Sequence, residues 1–130
     1  MTLPLLAALM LWFGQVFFAS SFRTYLAPNM KETLQDHMRG KDDTPEPSTL
    51  GKRAARAQKN YLESLVVFLP LALLHEIHGT TDGLAVQGAW LFVVARAVYV
   101  PAYLVAVFGL RTTVWTAGFV GLGMMVYPLL

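Results

Sequence analysis

Two small sets of polar side chains recur at helical spacing in this chain, one in a polar stretch that leads into an apolar run and one inside an apolar stretch. Arg56, Asn60 and Glu63 are separated by four and three residues, which puts them on one face of a helix. Arg96, Tyr99 and Tyr103 are separated by three and four and share a face in the same way. A charge at the centre of a membrane helix costs about 2.5–3.5 kcal/mol on insertion scales, so such residues face a partner or a polar cavity. At about 1.5 Å per residue, Glu63 lies about 14 Å in if its helix enters the membrane near Ala54. Arg96 lies about 18 Å in if its helix leaves near Phe108. Two readings stay open on this spacing: a structural Glu63–Arg96 ion pair that fixes helix packing, or a cavity that receives a polar ligand.

The elements that must hold these residues are membrane helices. The chain has 130 residues, 55% of them hydrophobic and 14% charged, where a soluble domain carries about a quarter charged residues. Its mean hydropathy is +0.49. The net charge of +2 is local, since eight of the ten Lys and Arg lie between Arg23 and Lys59. That is a basic loop, which suits an anionic membrane face. A nucleic-acid surface needs a basic stripe with base-reading side chains, and none is present. There is no cysteine, so disulfides, thiolate nucleophiles and zinc–thiolate sites are excluded.

A spanning helix takes about 20 apolar residues, and four segments qualify. The first runs from about Leu3 to Phe22, with Gln15 its one strongly polar residue and Arg23 at its polar end. No Lys or Arg precedes it, so it reads as a retained helix and not a signal peptide. Residues Tyr25 to Leu50 form a solvated loop with a helical turn around Met30 to Met38, and Ser48 or Thr49 can cap the next helix. This second helix runs from about Leu50 to His78, polar at first and apolar from Leu65, with Pro70 inside it. His78-Gly79-Thr80-Thr81-Asp82-Gly83 is a turn by its breaker residues. The third helix spans about Leu84 to Phe108, bent at Pro101 and ended by Gly109, with Arg111 in a very short turn. The fourth spans about Thr112 to Leu130. The expected fold is all-α: one four-helix transmembrane domain over residues 1–130. The positive-inside rule puts the first loop and the Arg111 turn on the cytoplasmic side. A multi-pass chain with short turns and no targeting signal points to a bacterial inner membrane.

The run Arg56-Ala57-Gln58-Lys59-Asn60-Tyr61-Leu62-Glu63 resembles a signature of the MAPEG family, the membrane-associated proteins in eicosanoid and glutathione metabolism. The run Ala95-Arg96, Tyr99, Tyr103, then Arg111 before an apolar helix, is similar to a second signature of that family. The resemblance implies a four-helix protomer assembled as a homotrimer. It implies glutathione as co-substrate, bound at the cytosolic side between neighbouring protomers by Arg56, Gln58, Asn60, Glu63 and Arg96, with Tyr99 and Tyr103 lining the site. Arg111 resembles the arginine that stabilises the thiolate in catalytic members, although the Tyr103-to-Arg111 spacing is one residue longer here. Ser64 departs from the leukotriene-synthesising members, which carry a Tyr there. The implied activity is a glutathione-dependent transferase or peroxidase on small lipophilic electrophiles. The alternative is a non-catalytic trimer that binds a lipid or lipid-like ligand between protomers, and a third reading is a structural subunit of a larger complex. The chemistry fits glutathione: Arg56 can grip a carboxylate bidentately, Glu63 can pair with the amine and Asn60 can satisfy a peptide group.

Other polar features take simpler readings. His75, Glu76, His78 and Asp82 lack the H-E-x-x-H spacing and read as a polar loop edge, not a metal site. Trp12, Trp90, Trp115 and Tyr127 read as interfacial anchors or packing residues, and Lys52, Arg53 and Lys59 as lipid-headgroup contacts. Gly118, Gly121 and Gly123, with the pair Ala117 and Gly121, read as a surface for close helix approach.

Overall fold

The computed structural model describes residues 1–24, 49–79 and 83–130. The expected helical turn around Met30 to Met38, the Ser48 cap and Asp82 lie outside the described residues. Four helices make up the described chain: α1 (Thr2–Thr24), α2 (Thr49–Ile77), α3 (Gly83–Val105) and α4 (Phe108–Val126), with a short 3₁₀ turn at Tyr127–Leu129. Three of them, over Thr2–Ser20, Gly51–Ile77 and Gly83–Val105, are long and apolar enough to cross a membrane. At 19 residues, α4 is the shortest of the four and holds Arg111, three threonines and four glycines. Its threonines are exposed, but their hydroxyls are satisfied within the helix. Thr113 Oγ1 donates to Gly109 O and Thr116 Oγ1 to Thr112 O, each at 2.9 Å, the internal satisfaction a bilayer demands.

The helices alternate in direction. At one end of the bundle Thr2 Oγ1 donates to Glu76, and the amino terminus lies 3.9 Å from the same carboxylate. At the other end Arg53 Nη1 donates to Leu104 O at 3.3 Å. So α1 is antiparallel to α2, and α2 to α3. His75 Nε2 meets Met125 O at 2.7 Å, which brings the C-terminal ends of α2 and α4 together. With 29 residues, α2 is about 43 Å long, more than a hydrocarbon core of about 30 Å, so its polar first turns stand outside the apolar layer.

Tyr61, Leu65, Phe68 and Ala72 follow the i, i+4, i+7, i+11 stripe of α2 and form its buried face, against Ala8 of α1 and Phe92 of α3. Phe68 and Phe92 stack with ring centroids 4.5 Å apart. The Tyr61 hydroxyl donates to Ala8 O at 2.7 Å, so the core's polar tip is satisfied. His75 continues this stripe and is fully buried. It is a packed helix residue, not part of a polar loop edge, because its position places it on the inner face. The outer face of α1 carries Leu3, Met10 and Phe17, each at least 70% exposed and seven residues apart, an apolar stripe facing out of the bundle.

The tightest helix pair is α3 with α4, and glycine makes it so. A Cβ on Gly121 would lie 2.6 Å from Gly88 O and 2.9 Å from Phe92 N; one on Gly88 would lie 2.6 Å from Gly121 O. The two backbones touch where neither has a side chain. Gly123 meets nothing within 4 Å, so it takes no part. Gly88, on the facing helix, is the partner that the α4 glycines required.

The link between α3 and α4 differs from the expected one. Helix α3 ends at Val105, not at Gly109, and Ala106 takes the left-handed conformation at φ 61°. Ala106 N donates to Tyr103 O at 3.2 Å and Val107 N to Ala102 O at 3.3 Å, the pair of bonds that closes a Schellman end. This closure satisfies the last carbonyls of α3 within two residues. Arg111 is consequently inside the first turn of α4, with its N–H on Val107 O at 3.1 Å, and not in the turn itself.

Candidate functional site

Arg96 is the focus of the polar interior. It is 2% exposed at the middle of a membrane helix. Its Nη1 donates to Asn60 Oδ1 at 2.9 Å. The guanidinium lies 5.4 Å from the Phe92 ring centroid, 5.6 Å from Tyr99 and 6.0 Å from Phe119, within cation–π range. Its Nε has no hydrogen-bond partner. Gly118 leaves the space for it, since a Cβ there would sit 3.4 Å from Nε. The Glu63–Arg96 ion pair does not form, and the guanidinium's hydrogen bond goes to Asn60 instead. Asn60 takes the guanidinium, while Glu63 is turned about 60° further round α2 and is exposed.

Glu63 and Arg96 still share a space. A cavity of about 180 Å³ is lined by Asn60, Glu63, Ser64, Arg96, Trp115 and Phe119, among others. A smaller one of about 100 Å³ is lined by Tyr99, Arg111, Thr112 and Trp115. Trp115 borders both, so they form one strip along the α3–α4 seam. Ser64 takes little part in polar binding, because its hydroxyl donates to Tyr61 O at 2.7 Å. Tyr99 is buried and Tyr103 half-buried, with ring centroids 5.7 Å apart. Arg111 lies over Tyr103 at 5.0 Å and over Phe108 at 5.8 Å. A cation in the first turn of a helix works against the helix dipole. Here α4 has no acidic residue in its first turn and no side-chain cap, so Arg111 and the free N–H groups make this end of the strip electropositive.

The structure thus brings Asn60, Glu63 and Arg96 to one cavity and Tyr99 and Arg111 to its neighbour, with Tyr103 beneath Arg111. Arg56 lies on the same face of α2 as Asn60 but is exposed and borders neither cavity. Gln58 is two positions from Arg56, about 200° round the helix, and is half-buried away from the strip. Sequence reasoning does not assign Trp115, Gly118 and Phe119 to the site. Their positions i, i+3 and i+4 on α4 are the signal that places them on one face.

The family model of the MAPEG family matches residues 1–130, the whole chain. The chain belongs to the MAPEG family. Among curated proteins no match is found. Membership makes this a membrane protein of a family in glutathione and eicosanoid metabolism, consistent with its helices. In this MAPEG chain Asn60 and Glu63 of the α2 run and Arg96 and Tyr99 of the α3 run face the same seam, with Arg111 contributed by the start of α4.

Proposed function

We propose that this MAPEG protein is a glutathione-dependent transferase or peroxidase for lipophilic electrophiles, working as a homotrimer. The observation that carries the reading is the strip joining Asn60, Glu63 and Arg96 to Tyr99 and Arg111. It joins a fixed buried cation, an unpaired carboxylate and a second cation within one seam. That set matches a ligand with carboxylates, an amine and a group that becomes anionic. A soluble or membrane ligand site usually encloses about 300–1,000 Å³, and the larger cavity here is about 180 Å³. Glu63 and Arg56 are also exposed on the outside of a single chain. A neighbouring copy against this face of α2 supplies the missing wall, which supports the trimer.

In this reading Arg56 holds a carboxylate of glutathione, Glu63 its amine and Asn60 a peptide group, while Gln58, facing elsewhere, serves the site of an adjacent copy. Arg96 fixes Asn60 and gives the inner wall its charge. Glutathione supplies a thiol nucleophile. Arg111 is always protonated, so it stabilises negative charge on sulfur as a nearby cation does for a cysteine thiolate, and cannot act as a base. The Tyr103 and Phe108 rings hold its guanidinium in place. The test is turnover of a lipophilic test electrophile alongside glutathione binding for wild type and Arg111→Ala. The expected variant keeps affinity within a few-fold, since Arg56, Asn60 and Glu63 remain, and loses about 10²-fold or more in rate. Arg111→Ala that turns over at the wild-type rate rejects this role for Arg111.

A further inference from the structure

Arg53 reads from the sequence as a lipid-headgroup contact, but the structure gives it a partner inside the bundle. It is half-buried, and its Nη1 donates to Leu104 O at 3.3 Å. Leu104 is the last residue but one of α3, where the helical ladder leaves carbonyls without partners. The closure by Ala106 and Val107 takes Tyr103 O and Ala102 O. Leu104 O is met instead by a guanidinium from α2, and a cation at a helix C-terminus suits the helix dipole.

This bond works together with the one from Arg96 to Asn60. Arg53 and Asn60 are seven residues apart on α2, and Arg96 and Leu104 are eight apart on α3. The two bonds therefore lie about two turns apart along the antiparallel pair. The Asn60 bond pins the middle of α3, and the Arg53 bond pins its end. That end positions Arg111. Tyr103, whose ring lies 5.0 Å from the Arg111 guanidinium, is next to Leu104. Val107 N is bonded back to Ala102 O, and Val107 O accepts from Arg111 N. The start of α4 has no side-chain cap, so its first turn takes its position from this corner. Arg53 itself lines neither cavity of the strip.

We propose that Arg53 is a positioning residue for Arg111. It clamps the α3–α4 corner to α2 and so sets the distance between the Arg111 guanidinium and the sulfur of a ligand held by Arg56, Asn60 and Glu63. The inference rests on the transferase reading above. The pull of a cation on a thiolate falls with their separation. Loosening the corner therefore weakens the thiolate while the groups that hold the tripeptide stay in place. A misplacement of about 1 Å can cost 10²-fold in rate. Arg53 lies in the polar first turns of α2, so water can take its place at Leu104 O and a variant keeps the fold.

The test follows kcat and KM for glutathione across pH, with chlorodinitrobenzene as the electrophile, whose chloride the sulfur displaces. The proteins are wild type, Arg53→Leu, Arg53→Lys, Arg111→Ala and the double variant Arg53→Leu with Arg111→Ala. Arg53→Leu is expected to lose about tenfold in kcat at neutral pH, with KM within about threefold. The acidic limb of its pH profile moves to higher pH, because a thiolate with a more distant cation is less favoured. Arg53→Lys, which keeps the charge and a donor, restores most of the rate. Added to Arg111→Ala, Arg53→Leu lowers the rate no further, since it acts through Arg111. Amide hydrogen exchange of the full chain in detergent, without glutathione, gives a second readout. Arg53→Leu should speed exchange at Ala106, Val107 and Arg111 and leave the Gly88–Gly121 crossing unchanged. Losses that multiply in the double variant, an unmoved acidic limb, or a raised KM at unchanged kcat overturn the proposal, the last by making Arg53 a glutathione contact. Wild type without turnover rejects the transferase reading. Faster exchange at the corner then still supports the clamp, and unchanged exchange overturns it.

Discussion

Removing Asn60 should harm the protein more than removing Arg96. Asn60→Leu deletes the acceptor for Nη1, at 2.9 Å the one hydrogen bond the structure gives the Arg96 side chain, and leaves a guanidinium that is 2% exposed. Interhelical hydrogen bonds between neutral groups in membranes average about 0.6 kcal/mol. A bond to a charged group is worth about 1.5–3 kcal/mol, and charge is what decides here. The three aromatic faces remain and each offers about 0.5–1 kcal/mol, so the guanidinium is not stranded. We therefore expect Asn60→Leu to cost about 2–3 kcal/mol. Arg96→Met removes the charge together with its desolvation penalty, and replacing buried charge by apolar volume is often close to neutral. The double variant should then be more stable than Asn60→Leu alone, with a coupling of at least about 1 kcal/mol. The assay is denaturant unfolding in detergent followed by circular dichroism for all four proteins. Additive effects, or an Asn60→Leu protein as stable as wild type, would refute the argument that Asn60 holds a buried charge.

Two further substitutions test the packing. Gly121→Ala puts a methyl 2.6 Å from a backbone oxygen on α3, which cannot yield as a side chain can. It should cost about 1–3 kcal/mol or more, whereas Gly123→Ala, with nothing within 4 Å, should gain up to about 1 kcal/mol of helix propensity; melting temperatures of the two should move in opposite directions. Ala106→Gly relieves a left-handed alanine at φ 61°, worth about 1–2 kcal/mol less the greater backbone entropy that glycine loses. A modest rise in unfolding midpoint is expected, and a fall would contradict the Schellman closure.

The helices were legible in the sequence because apolar runs of membrane length are hard to produce otherwise. The polar faces were legible too, since spacing alone puts Asn60 with Glu63 and Arg96 with Tyr99. Which residue meets Arg96 was not. A depth comparison orders residues along an axis, but Asn60 and Glu63 differ by about 60° around it, and that rotation decides which one faces α3. Gly121 announced a close approach, but Gly88 has no second glycine three or four residues away in its helix and gains meaning only from the residue opposite. Gly109 looked like the end of α3 because glycine usually takes the left-handed position; Ala106 takes it instead, and no local residue type marks that. The burial of His75 could have been read from the stripe that runs Phe68, Ala72, His75.

The central claim is that the α2–α3–α4 seam holds glutathione. Titration calorimetry of glutathione into the purified protein, beside Arg56→Ala and Glu63→Gln, tests it most directly. The account predicts saturable binding by wild type and a loss of about tenfold or more in affinity for each variant, as expected when a charge-assisted contact of about 1.5–3 kcal/mol is removed. Absence of binding to wild type, or binding that both variants leave unchanged, would contradict it.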